Sequence, residues 1–299
     1  MVPKRVAIIA SDWPEYEKYC PNWLGLKRGF ERLGIPYKFF SSRPKLNLQE
    51  VVDYKPDFIL LCLMECLIQN QDKELRKQTD APIVFWFGDY RDSRVYHHFG
   101  DHSDVDAMFV SNDAQEQYWK EKLKIKKVFY LPLGCEPVES VPNSRYDFPF
   151  IFVGGVNGGA YYERALFINK LREEEGLIII NGVREDLRAK IFKAMPSIYS
   201  SAKVVLDVSH FPDVKGYTSN RFWNIPAMHG FALTKRWPGC TDYYPEDTRA
   251  YFDTYEECVE KKNYYLNHED KRKIMAEKAY KHSFNHTYDK RLTIMFSKL

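Results

Sequence analysis

What constrains this chain most is the alternation of short, unbroken apolar runs with longer segments of helical period. Val6–Ala10, Tyr37–Phe40, Asp57–Leu63, Ile83–Phe87, Ala107–Ser111 and Val128–Leu131 read as strands bounded by Pro, Gly, Asp or Asn. Between them, Trp23, Leu26, Phe30 and Leu33 form a helical stripe, and Leu48–Tyr54 and Ala114–Leu123 read the same way. Strands that are apolar throughout are buried on both faces, which predicts a parallel, doubly wound α/β sheet. The pattern then begins again. Phe150–Val153, Leu177–Ile180, Val204–Val208 and Phe231–Thr234 are the second set of strands, with Tyr162–Glu173, Val259–Leu266 and Lys271–Lys281 helical. Thr287–Phe296 closes the chain as a helix that Thr287 can cap. The Pro-rich, polar stretch Glu136–Arg145 reads as a linker between the two halves.

A length of 299 residues suits two such domains. The formal charge of +3, from 44 Lys+Arg against 41 Asp+Glu, is too small to mark a general nucleic-acid binder, yet leaves room for a local basic patch. The six cysteines are scattered without zinc-type spacing and read as reduced structural thiols in a cytoplasmic setting. No apolar run is long enough for a secretory core or a membrane span, so a cytoplasmic location is expected.

Two stretches carry candidate chemistry. The turn Gly154–Gly159, with Gly155 and Asn157, sits where a strand hands over to a helix, and Arg164 follows within that helix. Backbone N–H groups there can approach an anion, although a plain tight turn accounts for the glycines equally well. Farther on, a polar loop with Lys215, Tyr217, Thr218 and Ser219 feeds a short helix that begins near Arg221 and carries Asn224. Hydroxyls, free helix N–H groups and a guanidinium together match a diphosphate. The alternative is an ordinary loop whose arginine pairs with a carboxylate. In the first half, Asp12 and Asp89 follow apolar strands at the ends where open α/β sheets hold ligands. Asp89 has Arg91, Arg94, His97 and His98 nearby in sequence, and either carboxylate could serve as a general base or simply cap a turn.

Several linked motifs give a resemblance. Arg221-Phe222, Asn224-Ile225-Pro226-Ala227, Gly230-Phe231, the stretch Tyr255–Leu266, and His286-Thr287-Tyr288 with Arg291 follow one another in order. From Val204 onward the chain resembles the glycosyltransferase group 1 C-terminal domain of CgeB-like spore-maturation proteins. The resemblance implies a GT-B fold, with two Rossmann-like domains facing a cleft. An N-terminal acceptor domain (1–140), a donor domain (146–282) and a final helix (283–299) packing back on the first domain are then expected.

The implied activity is transfer of a sugar from a nucleoside diphosphate sugar, UDP-sugars included, to an acceptor hydroxyl. Gly155, Asn157, Arg164, Lys215, Tyr217, Thr218, Ser219, Arg221 and Asn224 would bind the donor, and Asp89 or Asp12 would serve as base. No DxD-like carboxylate pair stands at the donor site, so neither a metal nor a cofactor beyond the co-substrate is expected. The family usually has Glu where this chain has Asn224, which removes a charged acceptor for ribose hydroxyls. Glycan, protein, small molecule and modified DNA all remain open as acceptors. The lysines at 120, 122, 124, 126 and 127 permit the last, as in phage DNA-modifying transferases. A catalytically silent nucleotide- or glycan-binding module is the other alternative.

Overall fold

The computed structural model describes residues 2–10, 20–42, 45–62, 66–67, 69–88, 100–156, 162–182 and 185–299. Two parallel sheets dominate it. The first has six strands in the order β2-β1-β3-β4-β5-β6. Its strands are β1 (Val6–Ala10), β2 (Tyr37–Ser41), β3 (Phe58–Leu61), β4 (Ile83–Phe87), β5 (Ala107–Val110) and β6 (Val128–Tyr130). The second has five strands in the order β11-β10-β9-β7-β8, made by β7 (Phe150–Val153), β8 (Ile178–Ile180), β9 (Val204–Asp207), β10 (Ala232–Lys235) and β11 (Ala250–Phe252). Every recorded strand pair is parallel.

Burial explains why these runs form strands with no polar alternation. β1, β3, β4, β5, β7 and β9 are buried at every position. In the second sheet the two-residue period sorts side chains onto two cores. Phe150, Phe152, Val204 and Leu206 pack on one face. Ile151, Val153 and Val205 pack on the other with Met195, Ile198, Tyr199 and Ile225.

The chain divides into two compact units: Met1–Trp13, Leu26–Leu133 and Asp289–Leu299 form one, and Pro14–Gly25 with Gly134–Tyr288 form the other. The helices of the first unit's described residues include α1 (Pro21–Arg32, which begins in the other unit), α2 (Leu48–Asp53), α3 (Gln71–Arg76) and α4 (Glu116–Leu123). Those of the second are α5 (Tyr162–Glu175), α6 (Glu185–Ser201), α7 (Asn220–Ala227), α8 (Cys240–Tyr243), α9 (Tyr255–Leu266) and α10 (Glu269–Ser283). The last helix, α11 (Tyr288–Ser297), returns to the first unit. There the ring of Phe296 meets Phe58 edge-on at 5.4 Å, Asp289 pairs with Arg32 at 2.7 Å, and Arg291 donates to the Leu133 carbonyl at 3.2 Å.

Four of these elements escape the sequence pattern: α3, α6, α8 and β11. α6 carries Pro196 in its interior, a residue that argues against a helix because it lacks the N–H and crowds the preceding turn. Buried Met195, Ile198 and Tyr199 on the sheet nonetheless hold that helix together. α8 and β11 are too short, at four and three residues, to show a period. All six cysteines are free thiols. Among the described residues no helix is long and apolar enough to cross a membrane.

Candidate functional site

The second sheet passes from β7 to β8 on one side and then to β9 on the other, so the loops leaving β7 and β9 diverge. Such a divergence leaves a crevice beyond the carboxyl ends of the strands, the usual ligand position in an open α/β sheet. A cavity of about 410 Å³ opens there. Its wall comprises Val153, Gly154 and Gly155 after β7, Ile180, Asn181 and Gly182 after β8, residues of α6 from Arg188 to Tyr199, and Asn220, Arg221 and Asn224 of α7. Cys20 and Pro21 complete it. The volume is within the range of small-molecule sites.

Arg221 spans the crevice. Its Nη1 donates to the Val153 carbonyl at 3.3 Å and its Nη2 to the Val208 carbonyl at 2.8 Å, tying the ends of β7 and β9 together. The guanidinium lies 4.6 Å over the ring of Phe152, and Nε stands 3.8 Å from Asp207 Oδ1. Asp207 is 1% exposed at the end of β9 and also faces Arg249, with Nη1 3.7 Å from Oδ2. Burial pushes the Asp207 carboxyl up from its ordinary value, opposed by the two guanidiniums and by the hydroxyls of Ser219 and Thr234.

Asn224, one helical turn beyond Arg221, shares its face of α7, and both line the cavity. The Asn224 side chain is 4% exposed, and its Oδ1 has no hydrogen-bond partner within the protein. A buried amide oxygen left this way is costly unless a ligand or water supplies a donor.

Of the other sequence candidates, Gly155 lies on the cavity wall. Arg164 does not; it is 6% exposed, donates to the Gly155 carbonyl at 2.7 Å and lies 5.6 Å over Phe152, so it holds the turn from beneath. Tyr217 and Thr218 are buried and lie off the cavity wall, Tyr217 against Phe211 at 5.6 Å and Thr218 donating to the Ser219 carbonyl at 3.3 Å. Ser219 turns inward as well, its N–H donating to Ser209 Oγ at 2.9 Å and its hydroxyl to Asp207 at 3.3 Å. Lys215 is exposed and also lies off the wall. The loop expected to wrap a ligand therefore spends its hydroxyls on bracing β9 and α7. Asp12, Asp89 and Asn157 lie outside the described residues, as do Arg91, Arg94, His97 and His98.

The sequence pattern gave no hint of Arg188, a second guanidinium on the wall, whose Nε donates to the Gly182 carbonyl at 3.2 Å. Asn181-Gly182 directly follows β8, a strand-end position of the kind that lines ligand sites. Gly154 shows how tightly the wall is drawn. Its φ is +153°, and an added Cβ would stand 2.7 Å from Arg221 Nη1. Gly154→Ala is expected to displace Arg221 and to cost about 1–3 kcal/mol of stability, as overpacking does. Thermal denaturation checks this; an unchanged melting temperature would show that the crevice has slack.

Known proteins share the fold. Residues 158–297 match the family model described as glycosyl transferase-like. A search of curated proteins finds no match. Among solved structures, an α-glucosyltransferase in complex with UDP and a 13-mer DNA containing an HMU base aligns at TM-score 0.67 and 11% identity, over 98% of each chain. The DNA-modifying enzyme β-glucosyltransferase aligns at TM-score 0.64 and 14% identity, again over 98% of each chain. Anabaena HepE in complex with UDP and glucose aligns at 0.63 and 9% identity, over 99% of this chain and 100% of that one. The fold is that of the GT-B glycosyltransferases.

Proposed function

We propose that this GT-B glycosyltransferase draws its sugar from a UDP-sugar seated in the crevice between β7 and β9 and passes it to an acceptor hydroxyl. The observation that carries the reading is the pairing of Arg221 with the unpartnered, buried Asn224 Oδ1 on one cavity wall. Arg221, with Arg188 also on the cavity wall, offers positive charge to a diphosphate. Asn224 Oδ1 accepts a hydroxyl of the ribose beside it, taking with a neutral amide the place that Glu fills in the CgeB-like pattern. UDP as the carrier is supported by the neighbours, whose structures contain it. Positive charge from arginines lets the donor bind without a metal. Asp89, next to the end of β4, is the proposed base, with Asp12 after β1 as the other candidate.

A DNA acceptor gains nothing from the lysine cluster. Lys124, Lys126 and Lys127 are exposed but lead into the amino end of β6, whereas α/β sheets hold ligands at their carboxyl ends.

Calorimetric titration of UDP in the presence of EDTA tests the donor reading. Asn224→Leu removes one hydrogen bond of about 0.5–1.5 kcal/mol, so UDP affinity is expected to fall roughly 2- to 13-fold. Pyrophosphate affinity should stay unchanged, because it has no ribose. Equal loss for both ligands would take Asn224 out of ribose recognition, and failure of the wild type to bind UDP would refute the donor site.

A further inference from the structure

Behind the cavity wall stands a second arginine that does not reach it. Arg249, just before β11, is 1% exposed, with its guanidinium 4.1 Å from the Phe222 ring and 4.0 Å from that of Tyr244. Its position is fixed by a gap in α7. Pro226 has no N–H to give the carbonyl of Phe222, four residues earlier, and Arg249 Nη2 donates to that carbonyl instead at 2.9 Å. Nη1 reaches Thr234 Oγ1 at 3.4 Å and faces Asp207 Oδ2 at 3.7 Å. Asp207 therefore lies between two arginines, Arg221 on the cavity side and Arg249 behind.

We infer that Arg249 is a positioning residue that sets the charge of the donor site. Two guanidiniums against one carboxylate leave one net positive charge in the cluster, and of these two arginines Arg221 is the one that borders the cavity. With Arg249 absent, Asp207 would neutralise Arg221, and an anion in the crevice would meet the charge of Arg188 without that of Arg221. Arg249 occupies the far carboxylate oxygen and so leaves the Arg221 charge for the ligand. In a buried setting of low effective dielectric, a unit charge one layer away still acts strongly. The inference rests on the diphosphate reading of the site, and it explains why a buried carboxylate can sit beside an anion site.

The test compares UDP with uridine, which has the base and ribose but no phosphate. Arg249→Met is expected to weaken UDP binding about tenfold, the effect of a unit charge at second-layer distance, with uridine affinity unchanged. Arg249→Lys keeps the charge and should restore most of the loss. Asp207→Asn should act with the opposite sign and tighten UDP relative to uridine. It decides the matter by itself if Arg249→Met does not fold. Equal losses for UDP and uridine in Arg249→Met would show a helix merely displaced and overturn the inference. So would an unchanged UDP-to-uridine ratio in Asp207→Asn. Absence of UDP binding by the wild type would instead refute the donor site itself.

Discussion

Arg221→Ala is expected to weaken UDP binding by roughly 10- to 150-fold, the loss of a charge-assisted bond of about 1.5–3 kcal/mol. It should also lower stability, because the Arg221 side chain is only 13% exposed and is part of the frame of the second sheet. The carbonyls of Val153 and Val208 lose their donor, and buried Asp207 keeps one of its two arginines. Breaking one side of a buried ionic cluster costs about 3–5 kcal/mol. In a domain of this size each kcal/mol is about 2–4 °C in Tm, so a fall of roughly 6–20 °C is expected. Binding must therefore be measured well below the variant's melting point. A folded Arg221→Ala protein with wild-type UDP affinity would remove this arginine from the donor site, whatever its stability.

The second large effect concerns the acceptor side. Asp89→Asn is expected to reduce kcat by ~10²–10⁴-fold, the contribution of a positioned general base, while UDP affinity stays within about twofold. Asp89 follows β4 by two residues, and Asp12 follows β1 by two. The observed strand order β2-β1-β3 gives Asp12 an added claim, since the chain diverges around β1 as it does around β7. Asp12→Asn measured in parallel assigns the role. If Asp89→Asn turns over normally and Asp12→Asn does not, the base is Asp12. If both turn over normally, neither carboxylate takes the proton.

How much of this was legible in the sequence depends on the range of the forces involved. Unbroken apolar runs such as Ile83–Phe87 announce strands buried on both faces, because burial is a local demand on each residue. The i, i+3 relation of Arg221 and Asn224 is likewise local, and both do reach the cavity. What Arg221 binds is not local: Val153 lies 68 residues away in the chain. Arg164, Thr218 and Ser219 have the chemistry of anion ligands, but their contacts inside the protein come from packing that no spacing reveals. α6 was hidden by Pro196, whose local penalty is outweighed by its neighbours' contacts with the sheet.

The return of α11 to the first unit has a consequence for synthesis. The second unit, apart from its short early segment, lies on one continuous stretch, Gly134–Tyr288, whereas the first unit lacks a wall until residues 289–299 have been made. Phe58 meets Phe296 in the finished fold, and in the nascent chain Phe58 lacks that ring while more than half the protein is still to come. Domains generally fold in order of synthesis, N-terminal first. Here the earlier unit is the one that has to wait, with Phe58 short of its partner ring through the time when aggregation is the competing reaction.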